Sequence, residues 1–266
     1  MPLQGHFDVV ERAGVARFRP AAWVALALVG LAGCRTPDGP KPGVPAEPAI
    51  IMRVRLLDAS GGFDLAIDGR YVVVNGAERS SERGSLPRTR VQVRPFGFEI
   101  GDRLVFTAGS IDIVPDTYGG LWVEGRRYCG FLRLHRIADN QVLVVNHVPV
   151  EDYLKGVLGA ELPRSFQIET YKAQAICART FALYEKLSRD NGQRPFDVSA
   201  TEASQVYHGI EVHSTKSLQA VEATRGIVLV GETAKGWKIF PAFFSSTCGG
   251  VTQAGRYLAA IDPDFR

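Results

Sequence analysis

The feature that most constrains the fold is a change of periodicity at Pro149. Before it, from Ile50 to about His147, apolar residues alternate in short runs. Ile51-Met52-Arg53-Val54-Arg55-Leu56 alternates, and Tyr71-Val72-Val73-Val74 ends at Asn75-Gly76, a dipeptide that supplies the positive φ of a tight hairpin turn. Leu104-Val105-Phe106, Ile111-Asp112-Ile113, Phe131-Leu132-Arg133-Leu134 and Val142-Leu143-Val144-Val145 are further short strands, separated by Gly, Pro and Asp. Such a series builds a sheet or a partial barrel. After Pro149 the spacing becomes helical. Val150-Glu151-Asp152 has the form of a first turn, with acids at the positive end of the dipole. Tyr153, Leu154, Val157 and Leu158 follow, and the helix should end near Glu161-Leu162-Pro163, because the residue before a proline is pushed out of the α region. The pattern predicts a longer helix from about Ile168 to Arg189, rich in alanine. A third runs from about Ser214 to Thr224, with Ser214 as N-cap and Gly226 as C′ residue. Strands are expected at Ile227 to Val230 and Ile239 to Phe244. The fold class is α+β: a β-rich subdomain over 50–147 and a mixed α/β core over 148–266.

The residues before Ile50 read differently. Arg12, Arg17 and Arg19 precede an apolar run from Ala21 to Ala32. The run falls short of the roughly 20 apolar residues that span a membrane and fits the central part of a secretory signal. It closes on Leu31-Ala32-Gly33-Cys34, which resembles the bacterial lipobox, whose cysteine is lipidated and becomes the first mature residue. Residues 1–33 are thus expected to be a removed leader, and 34–49, dominated by Pro and Gly, an extended tether. Arg35 after the cysteine favours the outer membrane facing the periplasm over the outer face of the plasma membrane. Cys129, Cys177 and Cys248 remain, an odd number that leaves a thiol over. The net charge of +3, without a dense Lys/Arg run, gives no case for nucleic acid.

Several residues could carry chemistry. Glu161 stands at a helix end before Leu162-Pro163, and its small neighbours Gly156, Gly159 and Ala160 would let a polymer approach; an exposed structural Glu fits the same pattern. Arg179 falls on the apolar stripe of the long helix, between Ile176 and Leu183, where an unpaired charge is costly. Its partner could be Asp197, Glu202, Glu161 or a substrate. Thr201 to Gly209 mixes polar donors with an aromatic, and can either contact sugar rings or form a capped loop. Ser245-Ser246-Thr247-Cys248-Gly249-Gly250, at a strand end, suits a place where a ligand meets the backbone. Cys248 is either a packed thiol or a nucleophile served by His208 or His213. The chain has no HExxH, GxSxG or P-loop motif and no tight His/Cys cluster, so neither a metal nor a cofactor is expected.

Together these blocks resemble the SpoIID family, which comprises stage II sporulation protein D and the related amidase enhancers. The matching stretches are Val150 to Val157, Ala160-Glu161-Leu162-Pro163, Tyr171 to Ala175 running into Ala178 to Ala182, Ser204 to Gly209, Ala220 to Gly226, and Ser245 to Thr252. The resemblance covers roughly residues 120–262 and implies a peptidoglycan lytic transglycosylase whose catalytic acid is Glu161, with Leu162 where the family has Met. It implies a glycan site drawn from Arg179, Lys172, Gln205, Tyr207, Ser246, Thr247 and Cys248. Some members bind zinc beside the Ser-Gln-Val-Tyr block; Ser199, Ala203 and Ser204 stand there here, so no zinc is expected. Members usually extend beyond the Arg256-Tyr257-Leu258 segment, which implies a catalytic core cut short at Arg266.

Glycosidases of the ordinary kind use two carboxylates. In a lytic transglycosylase the muramic acid's own C6 hydroxyl attacks C1, and one residue first gives and then takes the proton. Such a residue must start protonated, which calls for a pKa raised toward about 6. Two rivals stand beside this reading: a non-catalytic glycan binder that activates a cell-wall amidase, and a Cys248 hydrolase. The leader yields a test of its own. Cys34→Ser should leave an unprocessed precursor and no lipid-anchored form; unchanged membrane fractionation and N-terminal mass would refute the lipobox.

Overall fold

The computed structural model describes residues 5–10, 15–20, 49–245 and 250, except 77, 83, 102, 108, 190–193 and 234. The expected leader, tether and Cys34, and also Ser246, Thr247 and Cys248, fall wholly or largely outside these. The architecture is α+β, with three sheets and three helices among the described residues. No helix among the described residues is long and apolar enough to cross a membrane.

The first sheet has seven strands in the order Val198–Ser199, Ile51–Ser60, Gln141–Pro149, Phe131–Ala138, Ser110–Pro115, Tyr71–Asn75 and Glu78–Glu82. Every pair is antiparallel except Val198–Ser199, which lies parallel to Ile51–Ser60. Asn75-Gly76 makes the expected hairpin, with Gly76 at φ 61°. The second sheet has six strands, Arg126–Tyr128, Leu121–Val123, Gly62–Ile67, Leu86–Arg94, Gly97–Ile100 and Arg103–Phe106. Alternation sorts their side chains: Phe63, Leu65 and Ile67 are buried, whereas Asp64 and Ala66 are half-buried. The apolar faces of both sheets and of the helices form one continuous core.

The strand Gln141–Pro149 is the spine. It is buried along nearly its whole length and continues without a loop into α1 (Val150–Glu161). Pro149 sits at φ −54° and ψ 138°, which ends the strand and starts the helix in one residue. α2 (Ile168–Arg189) and α3 (Thr215–Ala223) pack on α1 and on each other. Ser214 caps α3 through a capping box with Ser217, and Gly226 takes φ 71° just beyond it.

One expectation is corrected. The last described strand covers Gly236–Ile239 rather than Ile239 to Phe244, and residues 240–245 form no ladder. Gly5–Val10 and Val15–Pro20, within the expected leader, form a hairpin whose second strand pairs antiparallel with Ile227–Thr233.

Two histidines, His147 buried and His213 half-buried, make the fold acid-sensitive. His147, on the spine strand, stacks on Phe131 at 4.5 Å; burial, aided by Arg133, pushes it down from 6.5 to about 3. His213 is pushed down to about 4 by burial and by Lys155. Both are neutral in the native state, and the unfolded chain binds their protons below 6.5. Their contribution is therefore complete above that pH and declines as pH falls from 6.5 toward 3 to 4. Each histidine costs up to about 1.4 kcal/mol per pH unit across this window. Urea midpoints should drop between pH 7.5 and 5.5, above the range where ordinary carboxylates titrate, and His147→Leu should flatten that drop. An unchanged slope in the variant would mean that His147 is not held neutral.

Candidate active site

The site forms where the end of α1 meets the loop from Ser199 to His213. Glu161 is the last residue of α1. Leu162 leaves the helix at φ −110° and ψ 131°, the extended geometry that Pro163 demands. The turn that follows is pinned from two sides. The Tyr171 hydroxyl lies 3.3 Å from the carbonyl oxygens of Leu162 and Pro163, and Lys216 Nζ donates to the carbonyls of Arg164 (2.9 Å) and Phe166 (2.6 Å).

The loop lies directly on α1. A Cβ at Gly156 would stand 2.6 Å from Tyr207 Cε2, and one at Gly159 would stand 2.2 Å from the Val212 carbonyl oxygen. These two glycines admit the loop, not a polymer, and that corrects the sequence reading. Three buried side chains hold the loop down. Gln205 accepts from the Tyr153 hydroxyl (2.9 Å) and donates to the Ala178 carbonyl (3.2 Å). The Tyr207 hydroxyl donates to Asn146 Oδ1 (3.1 Å), and its ring packs between Tyr128 and Tyr153 at 5.6 and 5.0 Å. Asn146 Nδ2 in turn donates to the Cys129 and Phe131 carbonyls. The outcome is one short contact: the Val206 amide donates to Glu161 Oε1 at 2.8 Å.

Glu161 is half-buried, and among the described residues it forms no ion pair and its Oε2 accepts no hydrogen bond. Burial holds His208 below its usual 6.5, with Arg126 lowering it further and Glu161 opposing, so near neutrality His208 carries no charge toward the carboxylate. Burial, with Glu161 as the smaller cause, pushes the Tyr153 hydroxyl well above 10, so it stays a phenol that can donate to Gln205.

Other sequence candidates go elsewhere. Arg179 is 1% exposed and grips Glu151 with two bonds, Nε to Oε1 at 3.0 Å and Nη2 to Oε2 at 2.7 Å. Its Nη1 donates to the Ile227 carbonyl at 3.0 Å, and Glu151 Oε1 also accepts the Gly226 amide. The partner is therefore Glu151, a residue absent from the expected set. Asp197 is taken by Arg53 and Lys186. A saturated, buried guanidinium positions the turn before Ile227 and offers nothing to a glycan. Gln205 and Tyr207, 1% and 0% exposed, likewise hold the loop and do not reach a substrate. Lys172 is on the first turns of α2, paired with Glu169 at 2.8 Å. Ser199 and Ser204 knit their own turn: Ser204 Oγ accepts the Ser199 amide at 3.1 Å, and Ser199 Oγ meets Thr201 Oγ1 at 2.7 Å. Sequence reasoning passed over Asn146 and Tyr153. Asn146 had left a signal, a lone amide inside an apolar strand, which must find partners.

The comparisons agree with this core. The family model SpoIID, described as stage II sporulation protein, matches residues 138–230, from the spine strand to Ile227–Thr233. An uncharacterized protein of Brachyspira hyodysenteriae is 35% identical over 213 residues, 79% of this chain and 55% of that protein. The stage II sporulation protein D of Bacillus subtilis is 31% identical over 132 residues, 45% of this chain and 38% of its own. The amidase enhancer of the same species is 36% identical over 101 residues, 38% of this chain and 12% of its own. The chain thus spans about half the length of the first relative and less of the other two. No solved structure matches.

The packing makes a stability prediction. Arg179→Ala leaves the Glu151 carboxylate half-buried and unpaired and should cost about 3–5 kcal/mol. Gly159→Ala forces the Val212 backbone off α1 and should cost about 1–3 kcal/mol. Denaturant unfolding reads both. A Gly159→Ala midpoint equal to that of the parent would show that the loop does not rest on α1.

Proposed function

The chain belongs to the SpoIID family, and from that premise we propose that it is a lytic transglycosylase that cleaves peptidoglycan glycan strands with Glu161 as both acid and base. The observation that carries the reading is the asymmetry of that carboxyl group. The Val206 amide occupies Oε1, which leaves Oε2, without a partner among the described residues, as the oxygen through which the proton would pass. A half-buried carboxyl group that, among the described residues, has no ion pair and one open oxygen can donate to a glycosidic oxygen and accept the proton back.

In the first half of the reaction, Oε2–H protonates the bridging oxygen as the C1–O bond breaks and the leaving sugar departs as an alcohol. In the second, the C6 hydroxyl oxygen bonds to C1 while the Glu161 carboxylate takes its proton. The acid is regenerated, no water is consumed, and a 1,6-anhydromuramic end results. Hydrolysis would need a second carboxylate about 5–9.5 Å away. The acids of the same helix, Glu151 and Asp152, lie about 14–15 Å along its axis at 1.5 Å per residue. They are engaged with Arg179 and Lys155. The proposal includes export and a lipid anchor at Cys34, which would keep the chain on the cell envelope beside its polymer.

A second reading is a glycan-binding activator of a cell-wall amidase, favoured by the match to the amidase enhancer. One experiment separates them. Purified protein is given peptide-free glycan strands in ¹⁸O-labelled water, and the products are weighed by mass spectrometry. The enzyme should release unlabelled 1,6-anhydro ends. Glu161→Gln should lower the rate about 10²–10⁴-fold while glycan binding persists. Labelled reducing ends would mean hydrolysis, full activity in Glu161→Gln would remove Glu161 from the chemistry, and binding without products would leave the activator.

A further inference from the structure

A cleft of about 440 Å³ opens on the outer face of the six-stranded sheet, within the size range of small-molecule sites. Its floor is Ala66, the smallest side chain of the row Asp64, Ala66, Asp68 on the strand Gly62–Ile67 and the residue after it. The pairing of this strand with Leu86–Arg94 shifts between Leu65 and Ile67, so Pro87 and Arg88 together face Ala66. Such a bulge splays the ladder and leaves room beside a small residue. On the opposite side Ala66 pairs with Trp122, which forms the other wall.

The walls are fixed before any ligand arrives. Trp122 Nε1 donates to Asp68 Oδ2 at 2.9 Å, and the Arg127 guanidinium lies over the indole, 5.4 Å from its centroid. Asp64 accepts from Arg88 at 2.6 and 2.9 Å. Acids and guanidiniums are matched around the cleft: Asp64 with Arg88 and Arg90, Asp68 with Arg127, Glu124 with Arg90. A phosphorylated ligand calls for an excess of cations, which this lining lacks. An indole beside short aliphatic surface, rimmed by oriented donors and acceptors, suits a pyranose ring, which has an apolar C–H face and a hydroxyl edge.

The cleft is coupled to the Glu161 site through one residue. The Arg127 carbonyl accepts the Ile210 amide at 2.9 Å, and a Cβ on Gly209 would stand 2.0 Å from the same oxygen. The side chain of Arg127 therefore steadies Trp122, while its backbone seats the loop whose Val206 amide binds Glu161.

We propose that this cleft is an accessory subsite for the same polymer, holding an aminosugar unit of the glycan strand at a distance from the bond cleaved. The inference rests on the glycan reading above and extends it to a surface outside the matched residues 138–230. A subsite apart from Glu161 adds affinity for strands long enough to occupy both places, and less for a short oligosaccharide held at Glu161 alone.

The test uses the full chain carrying Glu161→Gln, so that strands bind without being cut, and compares Trp122→Ala, Ala66→Leu and Trp237→Ala in that background by calorimetry. Ala66→Leu fills the floor and leaves the buried face alone; Trp237 is an exposed tryptophan on another sheet. Trp122→Ala and Ala66→Leu should each weaken binding of peptide-free strands about tenfold. They should leave a tetrasaccharide unchanged, and Trp237→Ala should do nothing. Tight strand binding that ignores both cleft substitutions overturns the subsite and leaves the proposed function standing. Absence of glycan binding to the parent chain overturns both. Circular dichroism and the tetrasaccharide serve as the folding control, since a misfolded variant loses both ligands.

Discussion

A buried guanidinium needs a carboxylate, and the packing of the helices depends on how Arg179 meets that need. The charge lies between α2, the start of α1 and the turn before Ile227, and Glu151 satisfies it with two hydrogen bonds. Glu151 also takes the Gly226 amide, while Arg179 takes the Ile227 carbonyl, so one ion pair joins three chain segments. Buried pairs of this kind give little net stability against an apolar substitute, yet breaking one is costly. Glu151 and Asp152 also stand at the N-terminus of α1, where the dipole favours their charge. The helix that ends in Glu161 is thus anchored from its opposite end.

With α1 fixed, its glycines decide what touches it. Gly156 and Gly159 lie three residues apart, on neighbouring turns of one face, and that face receives Tyr207 and Val212. The loop's polar groups are then satisfied one by one, through Tyr153, Asn146 and the Ala178 carbonyl. The buried part of a loop is tolerable only when its polar groups are paired in this way, and of this loop's buried side-chain atoms His213 Nε2 is left without a partner among the described residues. The Val206 amide is the donor left to face Glu161, and a backbone donor held this way needs no rearrangement when a substrate arrives.

How much of this could be read from sequence follows from the range of the interactions. Helix ends were legible because they are local: Pro149, Pro163, Ser214 and Gly226 act on their own neighbours, and the observed bounds of α1 and α2 match the expected ones. Strands with plain alternation were legible too, but Gly62–Ile67 and Leu86–Arg94 were missed, since glycine, acid and arginine on their outer face dilute the pattern. That Arg179 must be paired followed from its place on an apolar stripe. That Glu151 is the partner could not follow, because 28 residues and a turn separate them in sequence. The errors over Gln205 and Tyr207 have one cause. Polar and aromatic residues in a loop suggest contact with a ligand, and nothing in the sequence says that two glycines on a distant helix have made room to bury them.

These roles divide along the length of α1. The acids of its first turn meet cations, Glu151 with Arg179 and Asp152 with Lys155 at 2.7 Å, so their charge is spent on structure. Among the described residues, the acid of its last turn meets only an amide. A carboxylate paired with arginine would be held ionised and could not serve as a proton donor. On the proposed mechanism, the roughly three helical turns between Glu151, where Arg179 is held, and Glu161 keep the proton donor clear of that charge. On the same proposal the buried arginine would act only through the fold: its removal would loosen the frame that presents Glu161, while the proton would move between that carboxyl group and the sugar.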